Sequence, residues 1–360
     1  MKAALFHGGR HSLSVEEIAD PGPLPGSAAV EVLACFVPRS IAETIDAPAG
    51  RMLPPFPFVP GMDTVGRVIV VADDVAGLSP GDLVYCDHWY QSHTASPVPD
   101  HCFLGRYGMG PGARRHLERW RNGGFAEQMM LPAECMTPLG DVAQRATPAQ
   151  LCRLGWFGTA YGAFVKAGLK PGDTVIVVGA SGMVGSSGIL IALAMGAARI
   201  VALGRNRERL DAVARLNPRI VPVAPAGTGF DSAAIRAATG GQGADVMLDA
   251  VGTGAAPDAT IAAIGALAFG GRAVLVGVGL SGALALDYTH IMYNEIAVQG
   301  SLWFPRRAAG EMIAMIAAGT LDLSSIQPET VDLDHVNDGV RAAARGSMGL
   351  HHWAVCPRRR

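Results

Sequence analysis

The sequence predicts an α/β protein, a doubly wound parallel sheet preceded by a β-rich N-terminal domain. Three observations carry that prediction. The stretch DTVIVVGASGMVGSSGILIALAMGAARIVALGRN (173–206) reads as strand, glycine-rich turn, apolar helix and strand. Residues before Asn122 fall into short strand-like runs separated by proline and glycine turns. Beyond Gly204, strand-like runs alternate with alanine-rich helical ones, which completes six strands of sheet.

Taken in order, residues 1–6 form a first strand, and 21–25 a turn-rich break. AAVEVLA (28–34) alternates like a half-buried strand, and prolines keep 54–61 extended. GRVIVVA (66–72) is the next strand, and the turn at 79–82 feeds another over 83–86. Between Asp87 and Asn122 the pattern is lost, so a long polar connection is expected there. GGFAE (123–127) returns to strand, and 147–165 is helical in period. The run 174–178 is β-branched, and the second strand of the unit covers 200–203. A membrane span competes for 174–198, which is uncharged and longer than the roughly 20 residues a bilayer needs. Glycines interrupt that run, and Pro171-Gly172-Asp173 turns the chain just before it, so the span is rejected. Later strands are expected over 244–248, 273–276 and 297–303, and helices over 307–318 and 331–345. A last strand over 351–355 is placed to return to the first domain.

Each glycine of the central turn has its own job. Gly179 permits the sharp exit from the strand, Gly182 lets a pyrophosphate approach the backbone, and Gly185 lets the helix lie close to the sheet. The N–H groups around Ser181, Met183 and Val184 then stand at a helix N-terminus, where partial positive charge meets phosphate. Composition narrows the partners. Of 360 residues 49% are hydrophobic and 17% charged, enough for a large core and two domains. A net charge of −2 argues against nucleic acid or an anionic membrane. Six scattered cysteines without C-x-x-C, and a first segment without an apolar core, fit a reduced cytoplasmic protein.

The ordered markers VEVLACFVPRS (30–40), PFVPGMDTVGRV (57–68), SPGDLVY (79–85), GGFAE (123–127), GTAYGAF (158–164), LKPGDTVIVVGASGMVG (169–185) and GRAVLVG (271–277) resemble the medium-chain dehydrogenase/reductase family. That family includes zinc alcohol dehydrogenases and zinc-free quinone oxidoreductases. The resemblance implies a GroES-like catalytic domain over 1–151 plus 321–360, and a Rossmann nucleotide-binding domain over 152–320. It also implies a homodimer joined through the strand at 297–303.

The departures shape the expected chemistry. Where zinc alcohol dehydrogenases place their catalytic ligands, this chain has Pro38, Met62 and Gly155. Proline and glycine offer no donor, and a thioether is a poor zinc ligand, so no catalytic zinc is expected. The four-cysteine lobe is absent as well; Cys86 and Cys102 stand alone, and His88, His93 and His101 beside them are expected to be solvated. GASGMVG resembles the turn of quinone oxidoreductases and enoyl reductases. At the position of the NAD-type acid stands Gly204, followed by Arg205, Asn206, Arg207 and Arg209. With no carboxylate to repel a phosphate and arginines to bind one, NADP(H) is expected over NAD(H). By resemblance Thr159 lines the nicotinamide, Arg39 faces the pyrophosphate, and Ala250, Val251, Gly277, Val278, Ser301 and Leu302 supply backbone contacts.

Without a metal, side-chain donors must stabilise the charge that hydride transfer builds on oxygen, and must deliver a proton. Four candidates for proton transfer follow from their positions. Ser40 matches the relay hydroxyl of the alcohol dehydrogenases, and Glu43 stands where that relay ends. His88 and Tyr90 follow a strand that lines the substrate pocket in the family. Asp63 replaces a glutamate and is expected to hold its loop. The expected function is a zinc-independent, NADPH-dependent reductase of a quinone, enone or reactive carbonyl. A metal-free alcohol dehydrogenase using NAD(P) and a non-catalytic nucleotide-binding relative are the alternatives.

Overall fold

In the computed structural model of the chain, residues 1–9, 12–41, 52–92, 99–225, 227, 229–346 and 349–357 are described. The chain divides into two compact units. One comprises Met1–Gly155, Ile326–Ser347 and His351–Arg360, and the other Trp156–Ser325 and Met348–Leu350. The first unit therefore runs to Gly155 and resumes at Ile326, rather than ending at 151 and resuming at 321.

The first unit is built on an antiparallel sheet. Its strands lie in the order Met136–Pro138, Leu83–Cys86, Met62–Val71, Ser27–Val37, His351–Val355, Gln327–Val331, with Gln128–Pro132 also paired to Ser27–Val37. The long strand Ser27–Val37 pairs along its length because its residues are nearly all buried, on both faces. The final strand returns as its position suggested, setting Trp353 opposite Val37 and Val355 opposite Cys35. Phe6, Phe58, Phe125 and Leu131 fill the core beneath.

Three expectations need correction. Residues 87–122 are not a bare connection. They hold a small sheet (Trp89–Gln91, His101–Phe103, Tyr107–Met109) and a helix, Ala113–Arg119. Strands of three residues are too short to show an alternating period, so the sequence pattern hid them. The helix expected over 331–345 is also shorter. Gln327–Val331 is a strand, Asp332 caps a turn of 3₁₀ helix at Leu333–His335, and the α-helix is Val336–Gly346. The period over 147–165 splits in the same way. Thr147 and Gln150 form a reciprocal capping box for Pro148–Leu151, and a longer helix, Leu154–Ala167, follows.

The second unit is the doubly wound sheet. We number its strands β1 (Thr174–Val178), β2 (Arg199–Leu203), β3 (Ile220–Val223), β4 (Ala244–Asp249), β5 (Leu267–Leu275) and β6 (Ala297–Gly300). All pairs are parallel, and the spatial order is 3-2-1-4-5-6, so the order reverses at β1. Helix α1 (Met183–Ala194) follows β1, and α2 (Arg207–Ala214) follows β2. Every residue of α1 from Gly185 to Ala192 is buried, which explains a helix that is apolar all round. No described helix is long and apolar enough to cross a membrane.

Candidate active site

In the second unit, the strand order reverses at the carboxyl ends of β1 and β4, the kind of place where open α/β sheets bind ligands. Gly179 leaves β1 at φ +75°, and a Cβ there would come within 2.8 Å of the Ala250 carbonyl. Gly182 is the N-cap of α1, and its N–H closes a turn onto the Gly179 carbonyl at 2.9 Å. A Cβ on Gly185 would overlap the Gly179 carbonyl. Gly179 and Gly185 are thus held to glycine by the space and backbone conformation around them. Ser181, Met183 and Val184 are half-buried along the first turn, with the amide end of the helix beside them.

Of the other expected cofactor residues of the unit, Ala250 lies against Gly179, and Gly204 toward the Ser181 hydroxyl. Ala250 and Gly277 continue β4 and β5, with Gly277 N–H donating to the Asp249 carbonyl at 2.9 Å. A Cβ on Gly277 would lie 2.6 Å from the Val251 carbonyl. Val278 and Leu302 are exposed, whereas Ser301 is buried and its hydroxyl accepts from Lys166 Nζ at 3.1 Å. Thr159 is buried on helix Leu154–Ala167. Gly204 ends β2 with its Cα hydrogens facing Leu210 and the Ser181 hydroxyl. Asn206 caps α2 by accepting from the Arg209 amide at 2.9 Å, and Arg207 pairs with Asp211. Arg205 and Arg209 are exposed beside that cap.

The first unit contains a buried polar cluster. Asp63 is fully buried and sits at φ +57°, a conformation uncommon outside glycine. Its Oδ1 accepts from the Tyr85 hydroxyl at 2.8 Å, and its Oδ2 has no hydrogen-bond partner. Burial, with Asp87 nearby, pushes its carboxyl up to about 8, while the Arg106 guanidinium pulls the other way. The Asp63 amide donates to His88 Nδ1 at 3.0 Å, so the imidazole proton is on Nε2. Burial pushes His88 down to about 3, and Nε2 is unpartnered. Arg106, on the turn before strand Tyr107–Met109, reaches Met62 Sδ with Nη1 at 3.5 Å. Its Nη2 donates to the Ser40 hydroxyl and lies 3.5 Å from the Ser40 carbonyl.

The structure therefore joins some of the expected catalytic residues and separates others. Ser40 enters the cluster through Arg106. His88 enters it as a buried neutral acceptor, not as the solvated histidine expected, and burial holds it from taking up a second proton at neutral pH. Tyr90 packs its ring against His116 at 5.1 Å and faces the apolar core of its own sheet. Glu43 and His93 lie outside the described residues. His101 packs edge-on against Trp89. Arg39 is exposed. Sequence reasoning missed Arg106 and Tyr85. Arg106 acts on residues 44 and 66 positions away, and no local pattern in GRYGMG signals that reach.

The residues at the positions of a catalytic zinc do not suit one. Met62 is engaged with a guanidinium, and Pro38 has no donor. A Cβ on Gly155 would overlap the Asp63 carboxyl, so a side-chain ligand at 155 has no room. Among the described residues, no group of three or more His, Cys, Asp and Glu could hold a metal ion.

Comparison with known proteins agrees with this architecture. Residues 25–141 match the family model described as alcohol dehydrogenase GroES-like domain, and residues 184–318 the one described as zinc-binding dehydrogenase. The second match contains none of Pro38, Met62 and Gly155. An acryloyl-coenzyme A reductase from Metallosphaera sedula is 27% identical over 342 residues, which is 94% of this chain and 95% of that protein. An NAD-dependent alcohol dehydrogenase from Sulfurisphaera tokodaii is 27% identical over 345 residues, 91% of this chain and 92% of that one. Among solved structures, 2R,3R-butanediol dehydrogenase from Bacillus subtilis superposes with a TM-score of 0.80 at 22% identity, covering 99% of both chains.

Proposed function

The chain belongs to the medium-chain dehydrogenase/reductase family, whose relatives here are oxidoreductases, and on that premise we propose a zinc-independent, NADPH-dependent reductase of conjugated alkenes, quinones or reactive carbonyls. The observation that carries the proposal is the contact of Arg106 with Met62, together with the closed space at Gly155. A metal at those positions would lack ligands, and a substrate whose charge spreads over a conjugated system needs less electrophilic help. Acryloyl-coenzyme A, named for one relative, carries such an alkene beside a thioester carbonyl. NADP(H) is favoured because Gly204 brings no carboxylate, and Arg205 and Arg209 stand exposed beside it. When bound, the nicotinamide supplies the hydride.

The chain's own residues divide the remaining work. The glycine turn and the N-terminus of α1 hold the pyrophosphate. The buried cluster of the first unit offers hydrogen-bond donors to a substrate oxygen. The proposed dimer pairs through β6, at the edge of its sheet.

The test is metal analysis of the purified chain with a substrate panel under NADPH and NADH. The expected result is far less than one metal ion per chain and at least about 10-fold preference for NADPH, the scale of one charge-assisted contact. Enones and quinones should turn over faster than alcohols are oxidised. One tightly bound zinc per chain, or turnover confined to alcohols with NAD, would reject the reading. A metal-free alcohol dehydrogenase is the second reading, favoured by the similarity to the Sulfurisphaera tokodaii enzyme.

A further inference from the structure

We infer that Arg106 replaces the catalytic metal as the positive charge of this site, its guanidinium donating hydrogen bonds to the substrate oxygen on which charge builds. The inference rests on the proposed reductase function and adds to it the group that handles the oxygen.

The placement is the first argument. The guanidinium is bonded to Ser40 and to Met62, two positions at the expected reaction centre, although Arg106 lies in neither of their segments. Only 8% of the residue is exposed. Its backbone is fixed by the turn that carries it. Arg106 N–H donates to the Phe103 carbonyl at 3.0 Å, and the neighbouring Leu104 N–H donates to the His88 carbonyl at 2.9 Å. The Tyr107 ring lies 5.2 Å from the guanidinium carbon. The head group is therefore preorganised, which is what a transition-state donor requires.

Chemistry is the second argument. A guanidinium stays charged when buried and presents five N–H donors in one plane, whereas a thioether is a weak acceptor. A substrate oxygen is the better acceptor, so the N–H directed at Met62 can be redirected with little loss. The charge also reaches into the cluster, since Arg106 lowers the Asp63 carboxyl against the effect of burial. Burial favours the neutral form of the Asp63 carboxyl.

The reduction then balances as follows. Hydride arrives at the electron-poor carbon of a C=C–C=O system and a new C–H bond forms. The alkene pair shifts to make an enolate, and the oxygen charge falls against the Arg106 N–H groups. A proton from solvent then adds to the α-carbon. The hydride and its electron pair would come from a bound nicotinamide, the substrate would be reduced by two electrons, and one proton would be consumed. For a simple ketone the charge stays on oxygen, so the demand on Arg106 is greater.

That difference gives the test. Arg106→Met and Arg106→Lys, made in the full chain, are compared with the wild type for NADPH binding and for kcat on a simple ketone and a quinone. Arg106→Met should lose about 10²–10³ in kcat on the ketone, the scale of one oxyanion donor. Its loss on the quinone should be smaller by about 10-fold, NADPH affinity should be unchanged, and added guanidinium ion should restore part of the rate. Arg106→Lys, which keeps the charge and should keep the fold, should show the same substrate order with smaller losses. An equal loss on both substrates in either variant, without recovery by guanidinium, would leave Arg106 a structural tie and overturn the inference. A wild type that binds NADPH but reduces neither substrate would instead overturn the reductase reading and this role with it.

Discussion

The nucleotide turn of the second unit and the buried cluster of the first are built in opposite ways. The turn comes from one stretch, Gly179 to Gly185, and backbone geometry does its work. The cluster draws Ser40, Met62, Asp63, Tyr85, His88 and Arg106 from separate strands and turns, and side chains do its work. The contrast teaches that a backbone site is fixed by the room around its glycines. A side-chain site is fixed by a network, and its chemistry shifts when one member changes.

The sharpest break between the two should come from Gly185→Val. Its side chain would meet the Gly179 carbonyl, and overpacking of about 3 kcal/mol corresponds to about 100-fold weaker NADPH binding by titration. The hydrogen bonds around Asp63 should be unaffected. Next in size, Gly204→Asp places a carboxylate at the end of β2 and should weaken NADPH by about 10-fold or more relative to NADH, measured as the ratio of kcat/KM values. An unchanged ratio would remove Gly204 from cofactor choice.

On the side-chain region, the pH dependence of stability is the matching probe. Asp63 is raised from 3.8 to about 8, and His88 and His352 are lowered from 6.5 to about 3. Between about pH 4 and 6.5 the unfolded chain holds two histidine protons that the folded chain lacks. The folded chain holds one Asp63 proton that the unfolded chain lacks. For these three groups the net difference is one proton, so together they should make stability rise with pH by about 1.4 kcal/mol per unit. From about 6.5 to 8 only the Asp63 difference remains, and stability should fall at the same slope. Denaturant midpoints across this range should peak near pH 6.5, and Asp63→Asn should remove the fall above it. The smallest effect is expected from Asn206→Ala, which removes the cap of α2 at a cost of about 1 kcal/mol in thermal or denaturant unfolding.

What could be read in advance follows the same division. Strand β1 was marked by a β-branched run, and the glycine turn by spacing alone, because neighbours in sequence make those structures. The residues unsuited to zinc were also visible, since Pro38 and Gly155 lack donors whatever the fold. Their replacement was not visible. Arg106 reaches Met62 and Ser40 only after strands Ser27–Val37 and Met62–Val71 have paired and a hairpin has formed, so no window of sequence contains the contact. His88 read as a loop histidine, because its burial depends on the small sheet that closes over it. Strands of three residues carry too little pattern to announce that sheet.

The pairing of His351–Val355 with Ser27–Val37 has a consequence for synthesis. While the chain emerges from the ribosome, the second unit becomes available whole and uninterrupted apart from its last few residues. The amino-terminal sheet must meanwhile wait with the Cys35–Val37 end of its longest strand lacking the partner His351–Val355, although Gln128–Pro132 already pairs with the other end. During that interval the short open end at Cys35–Val37 is a template for strands of other nascent chains. Chaperone supply and translation speed should therefore bear on folding yield through the late arrival of His351–Val355.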